Sequence, residues 1–217
     1  MLVRVDLHHK LDIPPASDGV TRLGSYRLDT SNHYGSNLRW ASLEYVRATV
    51  SLVSDPGDAA RAILYTAPPR SGTRLWLEPW VLSPLADSPL RLGRRLLHAF
   101  VARRSGGDAD FEAHERASHA RIAEWEAGFG WQYLGVFRAF GLEPGMRADL
   151  YAIDAKDPAE ALRKADVSEP TDVERIHAAS VRFLDRSERR YQLWMTPVTV
   201  TAATRTGIRL SDPSPAA

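Results

Sequence analysis

Between about Arg95 and Val200 the hydrophobic period switches repeatedly between strand-like and helix-like, and that order leaves few folds open. Leu96 to Ala102 is a short apolar run closed by Arg103-Arg104-Ser105-Gly106-Gly107, which predicts a strand. Asp108 or Asp110 then offers an N-cap, and Asp110, Glu112 and Glu115 place acids where the positive end of a helix favours them. Phe111, His114, Ser118, Ile122, Trp125 and Phe129 recur at helical spacing over 110–128, while Glu112, Arg116, His119, Ala123 and Glu126 form a polar face. Gly128 and Gly130 end that helix. Trp131 to Phe140, rich in aromatic and β-branched residues, reads as a strand. A Pro/Gly turn at 141–145 leads to a partner strand ending at Ile153. Asp157-Pro158 opens a short helix, Thr171 or Asp172 caps a second one to about Asp185, and Tyr191 to Val200 closes as a strand.

The order βαββαβ predicts a ferredoxin-like half, a four-stranded antiparallel sheet with both helices on one side. Its other side then needs a second sheet to cover it. The N-terminal residues supply candidates. In Leu2–Ile13, Val3, Val5, Leu7, His9 and Leu11 alternate with Arg4, Asp6, His8 and Lys10, the pattern of a half-buried strand. A further strand is expected over 21–29, while 38–53 fits either a long strand or a helix with Leu38, Ala41, Tyr45, Ala48 and Leu52 as its stripe; a hairpin of 59–67 and 74–83 and a short helix over 85–93 follow. Ile63–Ala67, Leu75–Glu78 and Ser88-Pro89 faintly echo Val136–Phe140, Leu150–Ile153 and Asp157-Pro158 at a spacing of about 70 to 75 residues. If that echo marks a duplication, the barrel closes within one chain; if not, it closes by dimerisation. The expected organisation is a β-rich or degenerate ferredoxin-like half at 1–93, a ferredoxin-like domain at 94–202 completing an α+β barrel, and a tail at 203–217.

This pattern resembles the dimeric α+β barrel superfamily, including its NIPSNAP-like and antibiotic-biosynthesis-monooxygenase-like families. The features that carry the resemblance are the strand at 96–102, the Glu/His/Arg-rich helix at 110–128, the hairpin Trp131–Ile153 and the Asp157-Pro158 helix start. The resemblance covers the C-terminal half only. It implies an oxygenase of small-molecule metabolism, with no permanently bound metal, in which substrate or reduced flavin assists oxygen. A homodimer is the expected assembly.

Composition narrows the partners. The 28 basic and 27 acidic residues leave a net charge of +1, so there is no electrostatic reason to expect a nucleic acid or an anionic membrane. Without cysteine there are no disulfides, thiolate metal sites or thiol nucleophiles. Met1 to Asp6 lacks the charged and apolar regions of a signal peptide, and a cytoplasmic location is the expectation. No apolar run reaches the roughly 18 residues that cross a membrane.

Strand alternation sorts the candidate site residues. Leu97, Ala99, Val101, Leu134, Val136, Ala148, Leu150 and Ala152 are small aliphatics expected beneath the helices. The opposite face, expected to line a barrel cavity, gathers His98, Trp131, Tyr133, Phe137, Arg147, Asp149, Tyr151, Gln192 and Trp194. Trp76 and Trp80 offer a similar face in the N-terminal half, and His9 lies with the apolar set of its strand. His98 and Asp149 are the candidate catalytic pair, because histidine exchanges a proton near neutral pH and a carboxylate on the next strand can orient it. Trp131, Tyr133, Phe137, Tyr151, Trp194, Gln192, Trp76, Trp80 and His9 are the candidate substrate contacts. No metal site is expected: His114 and His119 diverge on their helix, and His8-His9 point to opposite faces. His177 reads as a core residue. Three functions remain open on these residues: an oxygenase acting on an apolar or polycyclic aromatic substrate, a cyclase or isomerase using the same acid–base pair, and a non-catalytic binder of haem or another apolar ligand. Haem would need His98 or His9 as its axial ligand.

Overall fold

The computed structural model describes residues 2–8, 20–29, 47–53, 74–82, 92, 94–140, 145–184 and 190–198. Among the described residues there are eight strands: β1 (Leu2–His8), β2 (Val20–Asp29), β3 (Arg47–Val53), β4 (Arg74–Val81), β5 (Leu96–Arg103), β6 (Trp131–Phe140), β7 (Met146–Ile153) and β8 (Arg190–Pro197). They form a closed barrel in the order β1-β3-β2-β8-β5-β7-β6-β4, with every pairing antiparallel.

This corrects the expected fold class. A ferredoxin-like half would end in open edges at β6 and β8. Here β6 pairs with β4 and β8 pairs with β2, so both halves are joined in one cylinder of mostly sheet. Closure satisfies backbone groups that an open sheet leaves bare. The barrel closes within one chain. Within the cylinder, β4-β1-β3-β2 and β8-β5-β7-β6 repeat one strand order. β4 takes the place of β8, however, and not that of β7 as the sequence echo implied. Both edges of β4 are paired, with β1 and β6; its expected hairpin partner, 59–67, lies outside the described residues. Residues 9–13, 38–46, most of 85–93 and the tail lie outside them as well.

Three α-helices are described: α1 (Asp108–Ala127), α2 (Pro158–Ala165) and α3 (Thr171–Ser180), the last followed by a 3-10 turn at Val181–Phe183. The Asp157 side chain accepts the Glu160 backbone N–H at 2.8 Å, and Glu160 accepts the Lys156 N–H at 3.0 Å, a reciprocal cap that fixes the start of α2. α1 starts one residue after Gly107, so Asp108 and Asp110 sit in its first turn and do not cap it. Asp108 instead pairs with Arg104 and with Arg138, at 3.1 Å from the latter. No helix among the described residues is long and apolar enough to cross a membrane.

The barrel interior is filled by Val3, Val5 and Leu7, by Leu75 and Leu77, and by Leu97, Ala99, Val101, Leu134, Ala148, Leu150 and Ala152. The faces of the C-terminal strands are therefore the reverse of those expected. The small aliphatics point into the barrel, where closing strands leave little room. The polar and aromatic residues point out, beneath the helices.

Candidate active site

Register aligns the outward residues in rows. Trp194, His98, Tyr151 and Tyr133 lie side by side across β8, β5, β7 and β6. The next row carries Gln192, Phe100, Asp149 and Val136, and Arg147 opposes Arg138 in the one after. A β-bulge between Tyr133 and Gly135 places two residues of β6 against Leu150. Gly135 has a φ of 105°, a backbone conformation that side-chain-bearing residues rarely adopt. The extra residue reverses the alternation beyond it. Val136 turns outward to pack with Phe111 and Val81, and Phe137 turns into the barrel. Phe137 is thus not a contact of any site under the helices.

The face that α1 presents to this sheet is polar. Phe111, Glu115, Ser118, Ile122 and Glu126 follow one another at helical spacing; Phe111, Ser118 and Glu126 are buried, while Glu115 and Ile122 line a pocket. Trp80 anchors the helix, packing against Phe111 with ring centroids 5.0 Å apart and donating its indole N–H to Glu112 at 2.7 Å. Arg121 bridges to Asp172 and ties α1 to α3. Between α1, α3 and strands β6 and β7 lies a pocket of about 140 Å³, lined in the main by Glu115, His119, Tyr133, Arg147, Asp149 and Tyr151. His177 and Ser180 close it from α3. His177 is accordingly not the core residue expected; its Nδ1 lies 3.1 Å from Glu169.

Hydrogen bonds couple the lining. The Tyr133 hydroxyl donates to Glu115 Oε2 at 3.5 Å and also reaches the Asp149 carboxyl. Tyr151 hydrogen-bonds the Glu126 carboxyl. Arg147 Nη2 stands 3.6 Å from Asp149 Oδ2, and its guanidinium lies 4.5 Å above the Phe111 ring. His119 packs against Tyr133 at 4.6 Å.

Burial dominates the titration of the cluster. It raises the Glu115 carboxyl to about 7, with the Asp149 charge adding to the rise and Arg147 and Tyr133 opposing it. It raises Glu126 to about 8, reinforced by Asp149 and Glu115 and opposed by Tyr151. Asp149 is also raised by burial, against the pull of Arg147 and Tyr133. Three carboxyls in one poorly hydrated space do not all ionise together. Both tyrosines are pushed well above their ordinary range, chiefly by burial, and remain neutral hydrogen-bond donors.

His98 stands beside this pocket and does not line it. Its ring stacks on Trp194 at 4.0 Å and sits within 6 Å of the Trp131 and Tyr151 rings. Neither ring nitrogen has a hydrogen-bond partner among the described residues, and burial lowers its pKa to about 3. The expected hydrogen-bonded pair of His98 and Asp149 is not formed, because Asp149 is engaged by Arg147 and Tyr133. Of the other sequence candidates, Tyr133, Tyr151 and Asp149 meet in the pocket, and Trp131 and Trp194 pack around His98. Gln192 accepts the Trp194 indole N–H at 3.3 Å. Trp76 lies elsewhere, 5.8 Å from the guanidinium groups of Arg4 and Arg74, and Trp80 serves α1. His9 is outside the described residues. Glu115, Glu126 and His119 are the members that sequence reading passed over, and Arg147, placed on the right face, was given no role. The signal was there in the spacing of Phe111, Glu115, Ser118, Ile122 and Glu126, which sets two carboxyls in line with apolar residues.

The pocket does not fit the cofactors considered from sequence. Its volume is well below the roughly 300–1,000 Å³ of sites that enclose drug-sized ligands, so neither haem nor a flavin ring is accommodated. The packing around His98 is that of a core side chain and not of an open axial ligand. A wider groove of about 530 Å³ lies at the start of α1, along Gly106, Gly107, Asp110, His114 and Phe183. Its lining holds no buried side-chain polar atom lacking a partner among the described residues.

No protein-family model matches the chain. No curated protein matches it either. A solved structure described as that of an anthrone oxidase-like protein superposes with a TM-score of 0.53, covering 91% of this chain and 90% of that one at 10% sequence identity. The likeness is one of barrel fold.

Proposed function

We propose that the chain is a small-molecule oxidoreductase that removes a proton from an activated C–H of an aromatic ketone or phenol and lets the resulting carbanion react with dioxygen. The observation that carries this reading is the Glu115 carboxyl, held near neutral pKa in a pocket lined by neutral tyrosines. A base poised near the working pH combines a useful ionised fraction with useful basicity. Glu115 takes the proton. Tyr133 donates a hydrogen bond to the substrate oxygen on which negative charge collects. The electron-rich carbon is then oxidised by dioxygen: the CH₂ group becomes a carbonyl, one oxygen atom stays on carbon, and the other leaves as water with the two hydrogens. The pocket encloses about one ring, and the rest of a polycyclic substrate extends outside it. The name of the structural neighbour, an anthrone oxidase-like protein, and the sequence resemblance to monooxygenase-like proteins support the same chemistry.

The test is oxygen uptake with an anthrone-type ketone. Glu115→Gln is expected to lower kcat by about 10²–10⁴-fold, and the wild-type rate is expected to rise as pH passes through about 7. Oxygen uptake unchanged in the Gln variant would sink the assignment. A second reading is favoured by Glu126, a neighbouring neutral acid able to return a proton: isomerisation without oxygen. Hydrogen–deuterium exchange into the substrate under nitrogen, with product but no oxygen consumption, would select it.

A further inference from the structure

Arg147 is a poorly compensated buried cation. It points outward from β7, is 5% exposed, and lines the pocket. Two of its three guanidinium nitrogens, Nε and Nη1, are buried with no hydrogen-bond partner among the described residues. The third reaches Asp149 only at 3.6 Å, longer than the roughly 2.7–2.9 Å of a charge-assisted hydrogen bond. One face of the group is covered by Phe111, so its free hydrogen-bonding capacity lies along its edges. Across β6, Arg138 is engaged elsewhere, by Asp108 and against Trp80. A buried cation left in this state is costly, and the cost is relieved by an anion with oxygen acceptors. The nearby acids do not fill that role well. Glu115 hydrogen-bonds Tyr133, Glu126 hydrogen-bonds Tyr151, and Asp149 is already shared with Tyr133.

We infer that Arg147 binds a carboxylate of the substrate, so that the pocket takes a small aromatic acid. The cavity is roughly the volume of four or five liquid waters, which matches a single ring bearing such a group. Tyr133, Tyr151 and His119 supply the aromatic walls. This names the substrate class of the site described above and rests on the reading that this pocket is the active site. Binding is measured without turnover, so the two claims fail separately.

The experiment is calorimetric titration of the full chain at about pH 6, below the raised values of Glu115 and Glu126, with benzoate and with the neutral benzamide. Benzoate is expected to bind saturably and at least about tenfold more tightly than benzamide. Arg147→Gln is expected to abolish that preference. Arg147→Lys is expected to keep part of it, since it retains the charge but not the planar donor array. Asp149→Asn, which removes the competing carboxylate, is expected to bind benzoate as tightly as wild type or more so. Equal affinity for benzoate and benzamide, or no saturable benzoate binding to folded wild-type protein, overturns the inference, whatever the Gln variant does to folding. Benzoate binding that persists unchanged in a folded Arg147→Gln protein overturns it too. Benzoate binding in a protein without oxygen uptake would uphold the anion site and sink the oxidase reading.

Discussion

A histidine ring with both nitrogens buried and unpartnered is an expensive residue. His98 keeps its place through stacking on Trp194 and edge contact with Trp131, contacts worth about 0.5–1.5 kcal/mol each beyond area burial. Its pKa near 3 has a definite consequence. In the unfolded chain it titrates near 6.5, so its neutral form favours folding fully above that pH. That contribution is lost as pH falls toward 3, at about 1.4 kcal/mol per pH unit. His98→Phe keeps an aromatic ring in the box and removes the titration. It is expected to lie within about 1 kcal/mol of wild type at pH 7 and to be clearly more stable at about pH 4.5, as read from urea midpoints at the two values. Equal acid sensitivity in both proteins would show that this ring is not buried neutral. Turnover is expected to survive, because the proposed base is Glu115.

At the scale of elements, the bulge in β6 decides which side chains reach the helices. Without Leu134 and Gly135 sharing Leu150 as their partner, Val136 and Phe137 would exchange faces, and the Phe111 cluster would lose Val136. Gly135→Ala forces a side chain onto a φ of 105° and is expected to cost about 1–3 kcal/mol, measured by chemical denaturation. A cost near zero would mean that the strand re-registers easily. α1 is unusual in the opposite sense. Its sheet-facing side carries Glu115, Ser118 and Glu126 where packing alone would favour leucine. It is held at one end by Phe111 and Trp80 and toward the other by the bridge from Arg121 to Asp172. An element that sacrifices apolar contact in this way leaves space for a ligand.

For the whole molecule the opposed titrations set a stability window. Glu115 and Glu126 have folded pKa values raised to about 7 and about 8. Their contribution is therefore complete below the unfolded carboxylate value near 4.3, and it is lost as pH rises through the folded values. His98 acts on the acid side. Above about pH 4.3 the two carboxyls outweigh the one imidazole, so these three groups place the stability maximum near that pH, with a fall in either direction. Glu126→Gln is expected to flatten the alkaline limb while leaving the acid limb unchanged. Urea midpoints from pH 4 to 9 check this, and a maximum at pH 8 or above would refute it. Barrel closure bears on the same balance, since each of the eight described strands is paired on both edges.

Local order was legible in the residues themselves. The period-2 runs of β1, β5 and β7, the Asp157 cap and the Pro/Gly turns depend on neighbours a few positions away, and most element types followed from them. The inward and outward faces of β5 and β7 were also correctly separated, but assigned to the wrong sides. Alternation states which residues share a face, not what covers it. That choice was made by closure: β6 meeting β4 and β8 meeting β2 create an interior filled mainly by Ala, Val and Leu, and the bulky polar face is left for the helices. The meeting of Arg147 and Asp149 with Glu115 and Glu126 likewise depends on α1 lying across β6 and β7, a contact between residues some 20 to 35 positions apart. Sequence period carries no information about such contacts, because they are selected by the packing of the closed barrel as a whole.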